Sequence, residues 1–219
     1  MQPLTEQQIR IIDCGLADYK QILDMQLNLC EQRRSCQIPN TFLIVEHYPV
    51  ITLGAHKTAN MLCTSKENIK NKGIGIFEIR RGGGITAHNP GQIVFYPILN
   101  LFEMKISITE YISKLQQTGK GLLEHLSVKS ESKKGFPGLW VREKKIASIG
   151  VRVSRGITSH GMAININNDL SIFGLFIPCG LDGVKMTSVL KETGKTYSMN
   201  EVKQKLHSLL VENFSREHD

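Results

Sequence analysis

Two blocks of strand-type sequence, at residues 41–101 and 138–166, are separated by one amphipathic helical stretch and bounded by a helical stretch at each end. Strands that cluster in this way, rather than alternating one by one with helices, predict an α+β fold. Its sheet should be mixed and largely antiparallel, flanked by helices, and not doubly wound and parallel. The strand readings rest on the apolar runs Thr41-Phe42-Leu43-Ile44-Val45 and Val50-Ile51-Thr52-Leu53, with His47-Tyr48-Pro49 between them, and on strand-like patterns over 75–80, 92–101, 138–141, 145–153 and 162–166. Pro97 cannot donate to a ladder, so the stretch over 92–101 should be an edge strand or bulged at that end.

The helical readings follow the same logic of period. Leu16, Tyr19, Leu23, Leu27 and Cys30 recur at helical spacing and predict a helix over 16–34, with Cys30 as a small core hydrophobe. Ser107-Ile108-Thr109-Glu110 has the spacing of a capping box. It opens a helix that carries Ile108, Tyr111, Ile112, Leu115, Leu122 and Leu126 on one face and is weakened by Gly119 and Gly121. Ser198-Met199-Asn200-Glu201 repeats the box before a last helix, with Val202, Leu206, Leu209 and Leu210 inward. Residues 127–135 are polar and rich in lysine and read as an exposed loop. No repeat or linker interrupts the chain, and 219 residues suffice for one sizeable core, so a single domain over 1–219 is expected.

Charge limits the partners. Lys and Arg number 27 against 20 Asp and Glu, a net charge of +7, which suits an acidic partner without choosing between nucleic acid, an anionic membrane and an acidic protein. No stretch is apolar enough to span a bilayer, and MQPLTEQQIR has neither a signal-peptide core nor a transit-peptide pattern. The five cysteines form no CxxC pair, which speaks against a disulfide framework or a zinc–thiolate site and points to a reduced compartment, the cytoplasm.

Four segments hold residues suited to chemistry. In RRGGGITAHNPGQ, residues 80–92, three glycines allow close backbone approach to a ligand, two arginines supply fixed charge, and Thr86 and His88 add polar groups to what is otherwise a hairpin turn. Lys145 opens the strand KIASIG, whose Ala147, Ser148 and Gly150 are small for a strand that only fills a core. In SHGMAIN, residues 159–165, His160 is either a hydrogen-bonded structural residue or a substrate contact. In FIPCG, residues 176–180, Cys179 lies between a proline that sets the backbone and a glycine that clears space; spacing alone leaves nucleophile and inert thiol both open.

Taken in order, these segments resemble the lipoyl(octanoyl) transferase family, which carries an RGG-x-T-x-H-x-PGQ loop, a K-I-A-x-[IL]-G strand, an HG-x-A-x-N segment and a PCG turn followed by TS. They stand here at 81–92, 145–150, 160–165 and 178–180 with Thr187-Ser188. EHYPVITLG, residues 46–54, and PGLWV, residues 137–141, resemble two further runs of that family. Gly84, Ala87, Asn89 and Tyr48 depart from its usual Gln, Tyr, Gly and Pro.

The resemblance implies a biotin/lipoate ligase-like α+β fold. It implies transfer of an octanoyl or lipoyl group from acyl carrier protein to a lysine of lipoyl domains, those of 2-oxoacid dehydrogenases and the glycine cleavage H protein, in protein lipoylation. The route would be an acyl-cysteine thioester on Cys179, with Lys145 as its partner. Arg81, Gly82, Gly83, Gly84, Ile85, Thr86, Ala87 and His88 would line the substrate site, with Ser148, Ile149, Gly150, Gly161, Met162 and Ala163. No ATP or metal would be needed, because the acyl group arrives activated on phosphopantetheine. Neither nucleic acid nor membrane would be a partner.

Three other readings stay in view. An ATP-dependent lipoate–protein ligase shares part of the RRGGG loop, but Asn89 stands where such enzymes carry Asp. An amidotransferase moving octanoyl between lipoyl domains would use the same cysteine chemistry. A nucleic-acid binder is disfavoured by an aromatic content of only 6%, without a stacking pattern.

Overall fold

The computed structural model describes residues 9–177 and 184–215. In chain order the elements are β1 (Arg10–Ala17), α1 (Tyr19–Arg34), β2 (Thr41–His47), β3 (Val50–Leu53), α2 (Lys66–Asn71), β4 (Gly75–Glu78), β5 (Thr86–His88), β6 (Gln92–Ile98), α3 (Leu101–Met104), α4 (Ile108–His125), β7 (Glu131–Lys133), β8 (Phe136–Val141), β9 (Lys144–Ser154), β10 (Ile157–Asn165), β11 (Lys185–Met186), α5 (Val189–Thr193) and α6 (Met199–Phe214). Short 3₁₀ turns cover Lys57–Ala59 and Leu170–Leu175.

Eight strands form one sheet in the order β1-β2-β6-β10-β9-β8-β7, with β11 attached to β9. Among the described residues of this sheet, only β1–β2 and β11–β9 pair in parallel. A second sheet, β4-β3-β5, is small, and in it β3 and β4 pair in parallel too. The α+β expectation, mixed and largely antiparallel, agrees with this arrangement.

Alternation along the central strands builds two cores. Phe42 and Ile44 of β2, Ile93 and Phe95 of β6, and Met162 and Ile164 of β10 pack on the face covered by α4 and α6. Leu43 and Val45, Val94 and Tyr96, and Ala163 point the other way, toward α1. Both faces are covered, so β2 reads as an unbroken apolar run. The small sheet forms a third cluster with the 170–175 turn, around Ile51, Ile85, Ala87 and Phe173. Close approach of α4 explains Gly119, where a Cβ would lie 2.5 Å from Met162 Cε and 2.8 Å from Leu139 Cδ1.

Local readings need several corrections. The first helix begins at Tyr19, capped by Asp18, whose side chain accepts from the Lys20 and Gln21 amides; Leu16 belongs to β1. The buried face of α1 is Tyr19, Ile22, Gln26, Leu29, Cys30 and Arg33, while Leu27 is exposed, because Gln26 and Arg33 are buried through polar partners that apolar periodicity does not count. Residues 131–133 are strand β7, paired with β8, rather than loop. The strand holding Pro97 is central, not an edge: β6 lies between β2 and β10, and pairs with β2 from Val94 to Ile98. Nor is the strand bulged on its other side: pairing with β10 stops at Phe95 opposite Met162 and returns in the same register at the Asn100–Ile157 bridge, so the ladder is interrupted around Pro97 without a shift. There Thr158 Oγ1 donates to Pro97 O at 2.6 Å and accepts from the Leu99 amide at 2.9 Å. Of the two capping boxes, Ser107–Glu110 forms in both directions, but Ser198 makes no side-chain cap.

Candidate active site

The α1-side face of the large sheet and the small sheet enclose a cavity of about 330 Å³. Its floor is a set of small or medium residues on neighbouring strands. Ala163 lies opposite Val94 on one side and Ser148 on the other, and Gly161 lies opposite Gly150. The glycines are required by contact. At Gly161 a Cβ would fall 2.1 Å from Phe95 O, and at Gly150 it would fall 2.9 Å from Arg81 Cδ.

Lys145 enters this cavity through an irregularity in β9. Leu139 pairs with Ala147, but the next residue of β8, Trp140, pairs with Lys145, so Ile146 is the extra residue of a bulge. Ile146 and Ala147 both face the main core, and Lys145 and Ser148 both line the cavity. Lys145 is 3% exposed, and its Nζ lies 5.6 Å from the centre of the Trp140 ring, a cation–π distance. Gly138, with φ +133°, makes room: a Cβ there would meet Ala147 O at 2.2 Å and Lys145 Cε at 2.8 Å.

The 81–88 loop closes the opposite side. Arg81 is buried, its Nη2 donating to Thr52 O (3.0 Å) and Thr52 Oγ1 (2.8 Å), its Nη1 to Gly82 O (3.0 Å). The loop is sewn to β9 by the Gly82 amide on Val151 O at 2.8 Å. Gly54 lets the loop cross, since a Cβ there would lie 2.2 Å from Gly83 O.

Buried aromatic and imidazole rings form the inner wall. Tyr19 stacks on His88 with centroids 6.0 Å apart, and Tyr96 meets His160 edge-on at 6.5 Å. Behind them His47 Nε2 contacts Tyr96 OH at 2.8 Å, and its Nδ1 lies 3.2 Å from Ala17 O. Burial pushes the pKa of His88 down to about 3, and those of His47 and His160 down to about 4, so the rings are neutral at pH 7. Burial likewise raises Tyr19 to about 12, with Arg81 opposing. The wall therefore carries polar atoms but little charge.

Of the residues singled out from the sequence, Arg81, Gly83, Gly84, Ile85, Thr86, His88, Lys145, Ser148, Ile149, Gly150, Gly161, Met162 and Ala163 line this one cavity. Ala87 does not. β5 is extended, so Thr86 and His88 point to the cavity and Ala87, fully buried, points into the third cluster. Gly82 also stays off the cavity surface, held by its backbone bond to Val151. Cys179 lies outside the described residues. The chain is described up to Ile177, whose amide donates to Met61 O at 3.0 Å, and again from Val184. It then runs parallel to β9 with Met186 opposite Lys145, and the Thr187 amide donates to Lys145 O at 2.9 Å. Sequence reasoning missed Tyr19, Tyr96, His56 and the Gly135-Phe136-Pro137 stretch as lining residues. Tyr96 could have been found by alternation from Val94 once the cavity face was known; Tyr19 and His56 come from distant elements and carry no local signal.

The family described as "Lipoyl protein ligase A/B catalytic domain" matches residues 18–210. An octanoyltransferase of Syntrophobacter fumaroxidans is 39% identical over 94% of this chain and 91% of its own. Among solved structures, lipoate-protein ligase A bound with ATP superposes with a TM-score of 0.70 at 15% identity, over 98% of this chain and 89% of that one. P. falciparum LipL1 in complex with lipoate gives 0.73 at 13% identity, over 94% of this chain and 62% of that one. These two likenesses concern the fold.

Proposed function

The chain belongs to the lipoyl protein ligase A/B catalytic domain family, and we propose that it transfers an octanoyl group from acyl carrier protein to a lysine of a lipoyl domain by way of a thioester on Cys179. The observation that carries this reading is Lys145: a lysine buried in a cavity floored by small residues, with the chain that follows Pro178-Cys179-Gly180 in the sequence running alongside it from Lys185.

In the proposed cycle the Lys145 ammonium favours the Cys179 thiolate. The thiolate attacks the thioester carbonyl of the donor. A new Cys179 S–C bond forms, the pantetheine S–C bond breaks, and the departing thiolate takes a proton from Lys145. The neutral amine of the acceptor lysine then attacks the acyl-cysteine. Lys145, now neutral, takes the surplus amine proton, and Cys179 leaves as thiolate, so the pair ends as it began. One sulfur visited twice removes the need to hold two protein substrates together. Because a thioester replaces a thioester, the acyl group stays activated and this scheme uses no ATP.

The cavity has room for an extended acyl chain over Ala163, Ser148, Gly161 and Gly150. Asn89, which stands where ATP-dependent ligases carry Asp, has a structural task instead: its Nδ2 donates to Asp169 O at 2.8 Å and its Oδ1 accepts from Asn168 Nδ2 at 3.1 Å. The deciding experiment is intact-protein mass spectrometry after mixing with octanoyl-acyl carrier protein without ATP. One octanoyl group, mapped to Cys179 and discharged by a lipoyl domain, is the expected result. Labelling that requires octanoate and ATP would overturn the reading in favour of a ligase.

A further inference from the structure

A chain of buried side-chain amides reaches the cavity at His88 and determines which imidazole nitrogen carries the proton. It starts at a group whose role admits no choice. The Thr187 carbonyl can only accept, so the atom 2.9 Å away on Asn165 is its NH₂ group, and Asn165 Oδ1 faces the other way. A second backbone carbonyl gives the same answer. Asp169 O fixes Asn89 Nδ2, which leaves Asn89 Oδ1 to accept from Asn168 Nδ2, which also donates to Asn165 Oδ1 at 3.3 Å.

With Asn165 Oδ1 as acceptor, the Gln92 atom 2.9 Å from it is Nε2, which also donates to Ala87 O at 3.2 Å. Gln92 Oε1 is thereby turned to His88 Nδ1, 2.7 Å away. A bond that short to an acceptor requires a proton on Nδ1. Nε2 of a neutral ring then has a lone pair, and among the described residues no hydrogen bond occupies it. Gln92 and Asn165 are 2% and 1% exposed, so water does not compete for their amides. Tyr19, stacked at 9° to the ring, restricts its rotation.

We propose that Gln92 and Asn165 are positioning residues that lock His88 as the Nδ1–H tautomer, and that His88 Nε2 accepts a hydrogen bond from an N–H group of the substrate inside the cavity. This rests on the octanoyl-transfer reading above. Two N–H groups of that reaction have the required chemistry: an amide of the phosphopantetheine arm and the amine of the acceptor lysine. His88 is an acceptor here and not the proton-taking base, since its burial disfavours the imidazolium.

The test has a spectroscopic and a kinetic part. Long-range ¹H–¹⁵N spectra of the labelled enzyme, with His88 identified by comparison with His88→Asn, should show Nδ1 protonated and Nε2 bare at pH 7. A ring protonated on Nε2, or one titrating as imidazolium near pH 6.5, would overturn the lock. Gln92→Met, which keeps the volume and removes the acceptor, should lose the single tautomer.

Kinetically, an asparagine side chain reaches the place of Nδ1 and a glutamine side chain that of Nε2. His88→Asn, lacking the cavity-side acceptor, should slow one half-reaction by roughly ten-fold or more, and His88→Gln should lose clearly less. Slower acyl-enzyme formation from octanoyl-acyl carrier protein identifies the pantetheine amide; slower discharge of preformed acyl-enzyme onto a lipoyl domain identifies the lysine. Folded His88→Asn with both rates unchanged overturns the substrate contact. If the wild-type protein takes up no octanoyl group, the reading of function falls instead, while the spectra still decide the tautomer.

Discussion

Lys145 and Ser148 lie three residues apart on one strand and face the same cavity. In a regular strand they would face opposite sides. The extra residue Ile146, opposite the Leu139–Trp140 step of β8, restores them to one face and sends its own side chain into the core. The lysine proposed as general base and the small floor of the cavity are thus aligned by a bulge.

Lys145→Ala should slow alkylation of Cys179 by iodoacetamide at pH 7 and move its pH profile up, by about one to three units if a close opposite charge is lost. Lys145→Arg keeps the charge and much of the alkylation rate, but fails to take the amine proton and so fails in transfer. Lys144→Ala should be tolerated, because Lys144 is turned to Glu192, 3.3 Å away. An unmoved alkylation profile in Lys145→Ala would break the proposed pair.

Cys179→Ser should reduce transfer by roughly a thousand-fold or more, as loss of a covalent nucleophile does elsewhere. Serine at 14, 30, 36 or 63 should leave the chemistry intact. Cys30 is buried, its Sγ 3.5 Å from Thr158 O, and burial pushes its thiol up to about 11; Cys14 is raised for the same first reason. Peptide mapping of the acyl adduct is the check, and an adduct on any other cysteine rejects the assignment.

Acyl-length preference should respond to the cavity floor and not to Ala87. Ala163→Leu puts three carbons into the slot between Val94 and Ser148 and should shift the preference from octanoyl toward hexanoyl donors. Ala87→Tyr overfills the third cluster, where Ala87 is fully buried, and should cost about 1–3 kcal/mol of stability with no change of preference. Competition between hexanoyl, octanoyl and decanoyl donors, with melting curves, separates the two effects.

Stability should fall as pH drops from about 6.5 to 4. His47, His88 and His160 have folded pKa values near 4, 3 and 4, below the ordinary 6.5, so in this window the unfolded chain binds more protons than the folded one. Unfolding then becomes easier with acid, by the order of 1–2 kcal/mol for each ring at pH 5. Glu103, held low by Arg33, adds its loss only below the ordinary Glu range. Denaturant melts of wild type and His47→Gln between pH 7 and 4.5 check this; equal slopes against pH would exclude His47 as a contributor.

The rate with acyl carrier protein should fall as salt rises from low to physiological concentration, mainly through apparent affinity. The chain carries a net +7, and a charge-steered encounter with an acidic partner is screened over about 8 Å at physiological ionic strength. A rate indifferent to salt would remove charge from the account of docking.

The sequence by itself determined the α+β class, most of the central strands, the capped start of α4, and three of the four segments singled out for chemistry, those of the 81–88 loop, 145–150 and 160–163, which meet at the cavity. These follow from alternation, helical period and capping chemistry, which act between residues close in the chain. It also singled out Lys145 and the small residues around it. Only the tertiary structure decided the rest. Whether residue 146 is in register or bulged depends on β8, so the common face of Lys145 and Ser148 cannot be read from β9 alone. The side to which Ala87 turns depends on how β5 pairs with β3. Tyr19 and Tyr96 enter the cavity wall from elements far apart in sequence. The proton on His88 depends on Thr187, 99 positions away, through two amides whose orientation a distant carbonyl imposes. Local pattern specifies what each segment can become; pairing and burial between distant segments specify which atom faces the site.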